Sequence, residues 1–439
     1  MEFWFTMPAI WSDKAQHATR EAAKRAGFGS RPGDEIYMIS EPEAAAIAAL
    51  KDHTSNEALS IVKPGNGVLI CDCGGGTVDV TTYRILETSP RLTFEELCTG
   101  AGAKCGSTTI DRQFYKLMLE RFGDAFRDLP LKTKGPGSDF MDEFEKIKHD
   151  FGYSESGDEN YELPLDISLS DPDPKHFNCD ERLVILSDKD VRALFDPVIG
   201  KIKALVKSQI SIANGETGKN VIKTIILAGG FGDSEYLRKA LQREFSARLS
   251  IEVIVPKHPQ AAIVKGAALR GLDGLRPITR RCRRHYGFSC GKPFRKGEDM
   301  EHTAYKRVFD GCKYSRGRME WMVKMGEKMG ENITKMTEMN YSGKDQPMSC
   351  RVELYSCSLN EAPERVDSPG VKLVGHLIID FSTVNRACLK TKINDEGVRV
   401  YLVSYEVQMC FGAKEGILKF SAVANGKNLG EAQIDFSKD

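Results

Sequence analysis

The apolar positions change period several times along the chain, and each change marks an element. Residues 3–7 form a short apolar run closed by Pro8, which predicts a strand. Ser12 and Asp13 stand at the cap of an alanine- and lysine-rich stretch, 14–26, that predicts a helix stopped by Gly27. Residues 36–39 predict a second short strand. Pro42 then opens a helix over 43–50, where proline in the first turn is tolerated. After a looser stretch, 53–66, residues 68–72 predict a buried strand, three glycines follow, and 77–85 alternate as a second strand. Helical periodicity returns at 111–122 and 140–151. Residues 152–182 are polar, with an alternating segment at 161–169 that predicts a strand. A long amphipathic helix is expected over 187–212, a strand at 224–227 running into Gly229 and Gly230, a helix from about 234 to 245, a strand at 253–255 and a helix of small residues at 260–271. Strands alternating with helices imply an α/β layer.

Near Arg276 the pattern shifts. A basic stretch at 280–284 opens a region with few helical patterns, while 352–355, 373–379, 398–405 and 417–424 alternate or cluster β-branched residues. This predicts a separate, mainly β domain. The 439 residues suffice for two or three domains.

Charge narrows the function classes. Sixty-two basic residues balance 62 acidic ones, so there is no field suited to nucleic acid. No apolar run is long enough to span a bilayer. Residues 1–10 lack a basic flank and are interrupted by Pro8, unlike a signal peptide. The expected location is cytoplasmic. Twelve cysteines include no C-x-x-C pair, and none of the eight histidines pairs with a cysteine at finger spacing, so reduced thiols are expected rather than zinc or disulfides.

The strongest chemical signal is Asp72-Cys73-Gly74-Gly75-Gly76-Thr77-Val78-Asp79. Glycines let backbone N–H groups approach phosphate oxygens without side-chain clash. A dinucleotide-binding turn would continue into a helix. Here Val78, Val80 and Thr82 alternate with Asp79 and Thr81, so the loop joins two strands as a hairpin. Asp72 and Asp79 flank it, a pairing that suits Mg²⁺ held through water beside phosphates. An ordinary tight hairpin with solvated acids is the alternative. Three other segments carry candidates: Glu41-Pro42-Glu43-Ala44-Ala45-Ala46; Glu145 and Lys148, spaced i,i+3 on one helical face; and Leu227-Ala228-Gly229-Gly230-Phe231-Gly232-Asp233-Ser234, a strand–glycine–helix unit suited to an adenosine. Singly, the first reads better as an ordinary helix start and the second as a surface salt bridge. Their order along the chain favours the functional reading.

In that order these elements resemble the seventy-kilodalton heat-shock chaperones of the actin-like ATPase superfamily, and most of all their divergent heat-shock-protein-twelve-like branch, from about residue 3 to 275. The resemblance implies an α/β fold of actin-like (ribonuclease H-like) ATPase lobes followed by a mainly β C-terminal domain. It implies residues 1–65 as part of lobe I, 66–252 as lobe II with a subdomain at about 112–186, 253–275 as a helix returning to lobe I, and 276–439 at the substrate-binding position. Met7 to Asp13 resembles the proline-switch segment, with Pro8 as the proline. Glu41 matches the acid near the attacking water, and Asp72, Thr77 and Asp79 the catalytic residues of the second phosphate loop, Asp72 and Asp79 also serving Mg²⁺. Gly74, Gly75, Gly76 and Thr77 match phosphate contacts, and Gly106 the glycine before the next lobe. Glu145 and Lys148 match ribose contacts, and Gly229 to Asp233, with Phe231 and Gly232, the adenosine loop. His258 to Ala268 resembles the returning helix. The implied ligands are ATP or ADP with Mg²⁺. The implied partners are unfolded or extended peptide segments and co-chaperones, with no nucleic acid and no membrane.

The sequence also departs from the pattern. The family's first phosphate hairpin and its γ-phosphate lysine have no counterpart in these residues, Gln16 stands where an arginine often relays the proline switch, and the leucine-bearing linker after Gly271 is not recognisable. The expectation is an ATP-binding chaperone-like protein with impaired hydrolysis. The competing readings are a nucleotide-responsive scaffold without chaperone action and a small-molecule kinase of the same superfamily. The segment Trp321-Met322-Val323-Lys324-Met325-Gly326 resembles a strand and turn of the divergent branch.

Overall fold

The structure, a computed structural model, describes residues 1–9, 11, 13–54, 63–89, 91–154, 157, 159–169, 171–329, 332–342, 349–382, 384, 385, 387, 389–411, 418–424 and 426–433. The cap expected at Ser12, the loop residues 55–62 and the strand residue Ile417 lie outside these. The chain forms two compact units. One comprises residues 1–7, 11–39 and 277–439; the other comprises 8–10 and 40–276.

In the first unit, β1 (Glu2–Met7) pairs with β2 (Glu35–Ser40), and α1 (Asp13–Arg25) intervenes in sequence. Met7, Ala23, Ile36 and Met38 make a small core there.

The second unit opens with α2 (Glu41–Thr54), whose residues 44–50 are buried all round. A helix apolar on every face belongs in an interior. The central sheet follows: β3 (Gly67–Cys73), β4 (Val78–Glu87) and β5 (Thr93–Ala103) as an antiparallel meander. Next come α3 (Thr108–Arg127), α4 (Leu131–Lys134), α5 (Asp139–Asp150), a small sheet of β6 (Asn160–Pro164), β7 (Phe177–Asn178) and β8 (Leu183–Ser187), and α6 (Asp188–Thr217). Ser187 and Asp190 close α6 at its start with a reciprocal capping box, and Gly218 ends it in the left-handed conformation. β9 (Ile222–Ala228), α7 (Glu235–Leu241), α8 (Ala247–Leu249), β10 (Glu252–Ile254) and α9 (Ala262–Asp273) complete the unit. The sheet order is β10-β9-β3-β4-β5, with β3, β9 and β10 parallel. α9 packs closely on α2: a Cβ at Gly266 would collide with the Ala44 carbonyl, so only glycine fits.

The C-terminal part is a two-sheet sandwich. After β11 (Arg280–Arg281), one sheet is built from β12 (His285–Pro293), β13 (Ala304–Lys306), β14 (Lys313–Val323), β17 and β18 in the order β13-β14-β12-β17-β18, while β15 (Lys328–Met329) pairs with β11. The other contains β16 (Asn332–Ser342), β20, β21 and β22, with β19 on β20. These later strands are β17 (Ser349–Cys357), β18 (Val371–Asp380), β19 (Lys390–Ile393), β20 (Arg399–Phe411), β21 (Leu418–Ala424) and β22 (Lys427–Gln433). Residues including Phe288, Leu354, Leu377, Val407 and Phe420 fill the interior between the sheets.

Several elements differ from the expectation. β5 and β8 were not legible from the pattern. The strand expected at 161–169 ends at Pro164, which cannot donate to a ladder. The helix expected over 234–245 is interrupted after Leu241 by a π-turn at Gln242–Ser246. Among the described residues no helix is long and apolar enough to cross a membrane.

Candidate functional site

β3 and β4 meet in register with Asp72 directly opposite Asp79. Side chains alternate across a strand, so opposed residues share a face and their Cβ atoms lie about 5 Å apart. Both acids are buried, at 4% and 1% exposure. Like charges so placed repel, and burial removes the water that would screen them. The Asp72 carboxyl is accordingly pushed up to about 7, first by burial and then by the charges of Glu41 and Asp79. Glu41, the first residue of α2, is half-buried and also raised, by burial and by Asp79. The three predicted acids are thus brought together, although 31 residues separate Glu41 from Asp72. Among the described residues Asp72 Oδ1 has no hydrogen-bond partner.

The glycine loop between the acids is held from two sides. Gly74 N–H donates to the Thr77 carbonyl across its mouth at 2.9 Å. The N–H groups of Gly106, Ser107 and Thr108 donate to the carbonyls of Gly76, Gly74 and Gly75, and Thr108 Oγ1 donates to the Gly75 carbonyl at 2.8 Å. The first donors of α3, which have no partner within a helix, therefore fix the carbonyl side of the hairpin. Gly75 and Gly76 stay exposed. A Cβ on Gly106 would come within 2.6 Å of the Gly74 carbonyl oxygen, so this position admits no side chain.

The second glycine segment arrives by sheet topology. Ala228, the last residue of β9, is the parallel neighbour of Asp72, so Gly229 lies beside the hairpin. Its φ is +81°, and a Cβ there would sit 2.6 Å from Asp72 Oδ1. Both glycine segments leave the carboxyl ends of adjacent parallel strands, the usual ligand edge of an open α/β sheet. Beyond Gly230 the segment makes a short 3₁₀ turn over Phe231–Asp233 before α7 begins. The Phe231 ring is buried in the core, 6.3 Å from the Phe195 centroid, and Gly232 packs on Leu227. At these two positions the loop offers backbone; Asp233 is exposed.

Glu145 and Lys148 share one face of α5, as their spacing requires. Lys148 is only 8% exposed, and its ammonium donates to Glu145 at 2.6 Å and to Asp111 of α3 at 2.7 Å. Burial raises the Asp111 carboxyl, an effect its bond to Lys148 opposes. Asp111 was not a candidate from the sequence, where nothing ties it to a lysine 37 residues away. Glu145 instead lines a cavity of about 550 Å³ between α3 and α5, together with Thr108, Asp111, Arg112, Tyr115 and Met141. Thr108 touches both this cavity and Gly75, so the hollow adjoins the hairpin.

The amino-acid sequence is similar to those of known proteins. The family model of the Hsp70 protein matches residues 2–274. Mouse heat shock 70 kDa protein 12A is 26% identical over 86% of this chain and 63% of its own length. Human heat shock 70 kDa protein 12B is 25% identical over 86% and 62%. The chaperone protein DnaK of Thermoplasma volcanium is 27% identical over 61% of this chain and 38% of its own length. The chain spans less than two thirds of the length of these curated relatives. With the family matched over more than half of its residues, the chain belongs to the Hsp70 family, in the divergent branch of the 12A and 12B proteins, and its fold is that of actin-like ATPase lobes followed by a mainly β region.

Proposed function

We propose that this protein binds ATP or ADP with Mg²⁺ at the Asp72–Asp79 hairpin, as a chaperone-like member of its family. The observation that carries the reading is the set of three acids at the root of an exposed glycine loop, with Asp72 Oδ1 left without a partner among the described residues. Such burial is unfavourable without a cation. Among the described residues no three His, Cys, Asp or Glu side chains converge closely enough to ligate one ion directly. The donor set therefore suits Mg²⁺ that keeps its waters. A bound Mg²⁺ would neutralise charge on the β- and γ-phosphates. Gly75 and Gly76 offer exposed N–H groups and Thr77 a hydroxyl to those phosphates, and Glu41 would orient the attacking water. Glu145 would meet the ribose from the wall of the α3–α5 cavity, with Lys148 held behind it. The backbone of Gly229–Gly232, with Asp233, would border the adenosine.

These 439 residues supply one phosphate hairpin rather than two. Losing several charge-assisted contacts of about 1.5–3 kcal/mol each lowers affinity by orders of magnitude, so binding is expected to be weak and hydrolysis slow. The β-rich part follows the ATPase region in sequence, where members of this family carry the domain that binds peptides, and this order supports a peptide-binding role for it. Its proposed partners are unfolded or extended segments and co-chaperones, and the proposed location is cytoplasmic.

Titration calorimetry with ADP and Mg²⁺ tests the reading. Binding that is weak, needs Mg²⁺ and is lost in Asp79→Ala is expected. Silence at millimolar nucleotide, or equal binding by Asp79→Ala, would sink it.

A further inference from the structure

The sandwich contains a second polar hollow, remote in sequence from the hairpin. It measures about 330 Å³ and lies on the first sheet, where β12 and β14 fall out of register between Cys290 and Lys292. Such irregularities locally re-aim side chains. Ser289 and Gly291 of β12, Tyr305 of β13, Arg316 of β14, and Arg351 and Glu353 of β17 line it. A Cβ at Gly291 would meet the Tyr305 hydroxyl, so the absence of a side chain there lets that ring stand where it does beside the hollow. The Arg316 guanidinium lies over the Tyr305 ring, 5.0 Å from its centroid, which holds a long side chain in place. Arg351 contacts His376 on the neighbouring strand.

The donors of this hollow are largely unused. Neither Arg316 nor Arg351 has a carboxylate within ion-pair distance among the described residues, although most arginines of the same sheet and its loops do, as Arg295, Arg307, Arg318 and Arg365 illustrate. The hydroxyls of Ser289 and Tyr305 likewise have no hydrogen-bond partner among the described residues. Glu353 is the one acid present, and its carboxylate accepts a bond from Tyr355 at 2.6 Å. Two guanidiniums and two hydroxyls with one acid leave an excess of one positive charge.

From this we infer that the hollow is a binding site for a carboxylate group, with Arg316 and Arg351 as the cations and Tyr305 and Ser289 as neutral donors. A planar carboxylate matches the fork of a guanidinium. The single excess charge favours it over a phosphate dianion, which Glu353 would repel. The site needs no nucleotide and stands independently of the hairpin reading.

Saturation-transfer NMR on the full chain provides the test, with N-acetylalanine as probe, N-acetylalanine amide as neutral control and inorganic phosphate as competitor. The carboxylate should bind and the amide should not. Arg316→Gln combined with Arg351→Gln should weaken binding by about tenfold to a hundredfold, the loss of one or two charge-assisted bonds. Glu353→Gln should tighten it, a gain that damage to the fold would not produce. Asp79→Ala should leave it unchanged, which separates this site from the hairpin. Equal binding of acid and amide, displacement by phosphate at lower concentration than the probe, an unaffected double variant or no signal at all would each overturn the inference.

Discussion

Replacing Asp72 by asparagine should stabilise the protein without nucleotide, by an amount that grows as the pH rises from about 4 to about 7. The side chain is 4% exposed, and its carboxyl is pushed from 3.8 to about 7 by burial, Glu41 and Asp79. The folded state therefore holds a proton there that the unfolded chain releases at lower pH. Stability is undiminished below the unfolded value near 4 and falls as pH rises toward 7, by about 1.4 kcal/mol per pH unit. Across that interval the ionised carboxylate costs about 4 kcal/mol, an upper figure because water reaches such sites in part. Asparagine has nearly the same shape and no charge. In urea melts at pH 8 without Mg²⁺, Asp72→Asn should be more stable than the parent by roughly 2–4 kcal/mol, and at pH 4.5 the difference should shrink to about 1 kcal/mol or less. Adding Mg²⁺ and ADP at pH 8 should stabilise the parent and leave the variant almost unmoved. A variant that is less stable at pH 8, or whose difference does not change with pH, would refute the electrostatic account of the hairpin.

Other positions give equally direct tests. Gly266→Ala forces a methyl into the Ala44 carbonyl and should lower stability by about 1–3 kcal/mol, as overpacking does, read by thermal melting. Asp111→Asn removes one of the two carboxylates on the buried Lys148 ammonium and should cost about 1–3 kcal/mol and weaken ADP binding in calorimetry; an unchanged melt would mean that Glu145 suffices. Ser187→Ala breaks the capping box of α6 and should cost about 1 kcal/mol in urea titrations with no effect on ligand affinity. If a first phosphate hairpin is supplied by fusion, Glu41→Ala and Asp79→Ala should each lower single-turnover ATP hydrolysis by about a hundredfold to a thousandfold, while Glu145→Ala should act mainly on binding.

The sequence by itself determined the character of the hairpin. Alternation after the glycines required a strand where a dinucleotide-binding turn would place a helix, so the two acids had to flank a hairpin; that Asp72 and Asp79 stand directly opposite was decided by the register of β3 on β4. The sequence also determined α2, α5 and α6, whose apolar spacing or alanine content is local and strong. The polar-studded β14, Lys313–Val323, carries no local signal that outweighs its charged residues, β8 is an apolar run too short for its period to tell strand from helix, and β5 acquires its strand form by pairing with β4. Only the tertiary structure decided the rest of the site. β9 lies beside β3 although some 150 residues separate them, and that pairing is what sets Gly229 against Asp72. Lys148 was legible as a charge on one face of a helix, but its burial between Asp111 and Glu145 depends on α3 packing against α5. The raised carboxyl of Asp72 has the same origin: the residue type fixes its ordinary value, and only the surrounding fold removes the water and brings two further acids near.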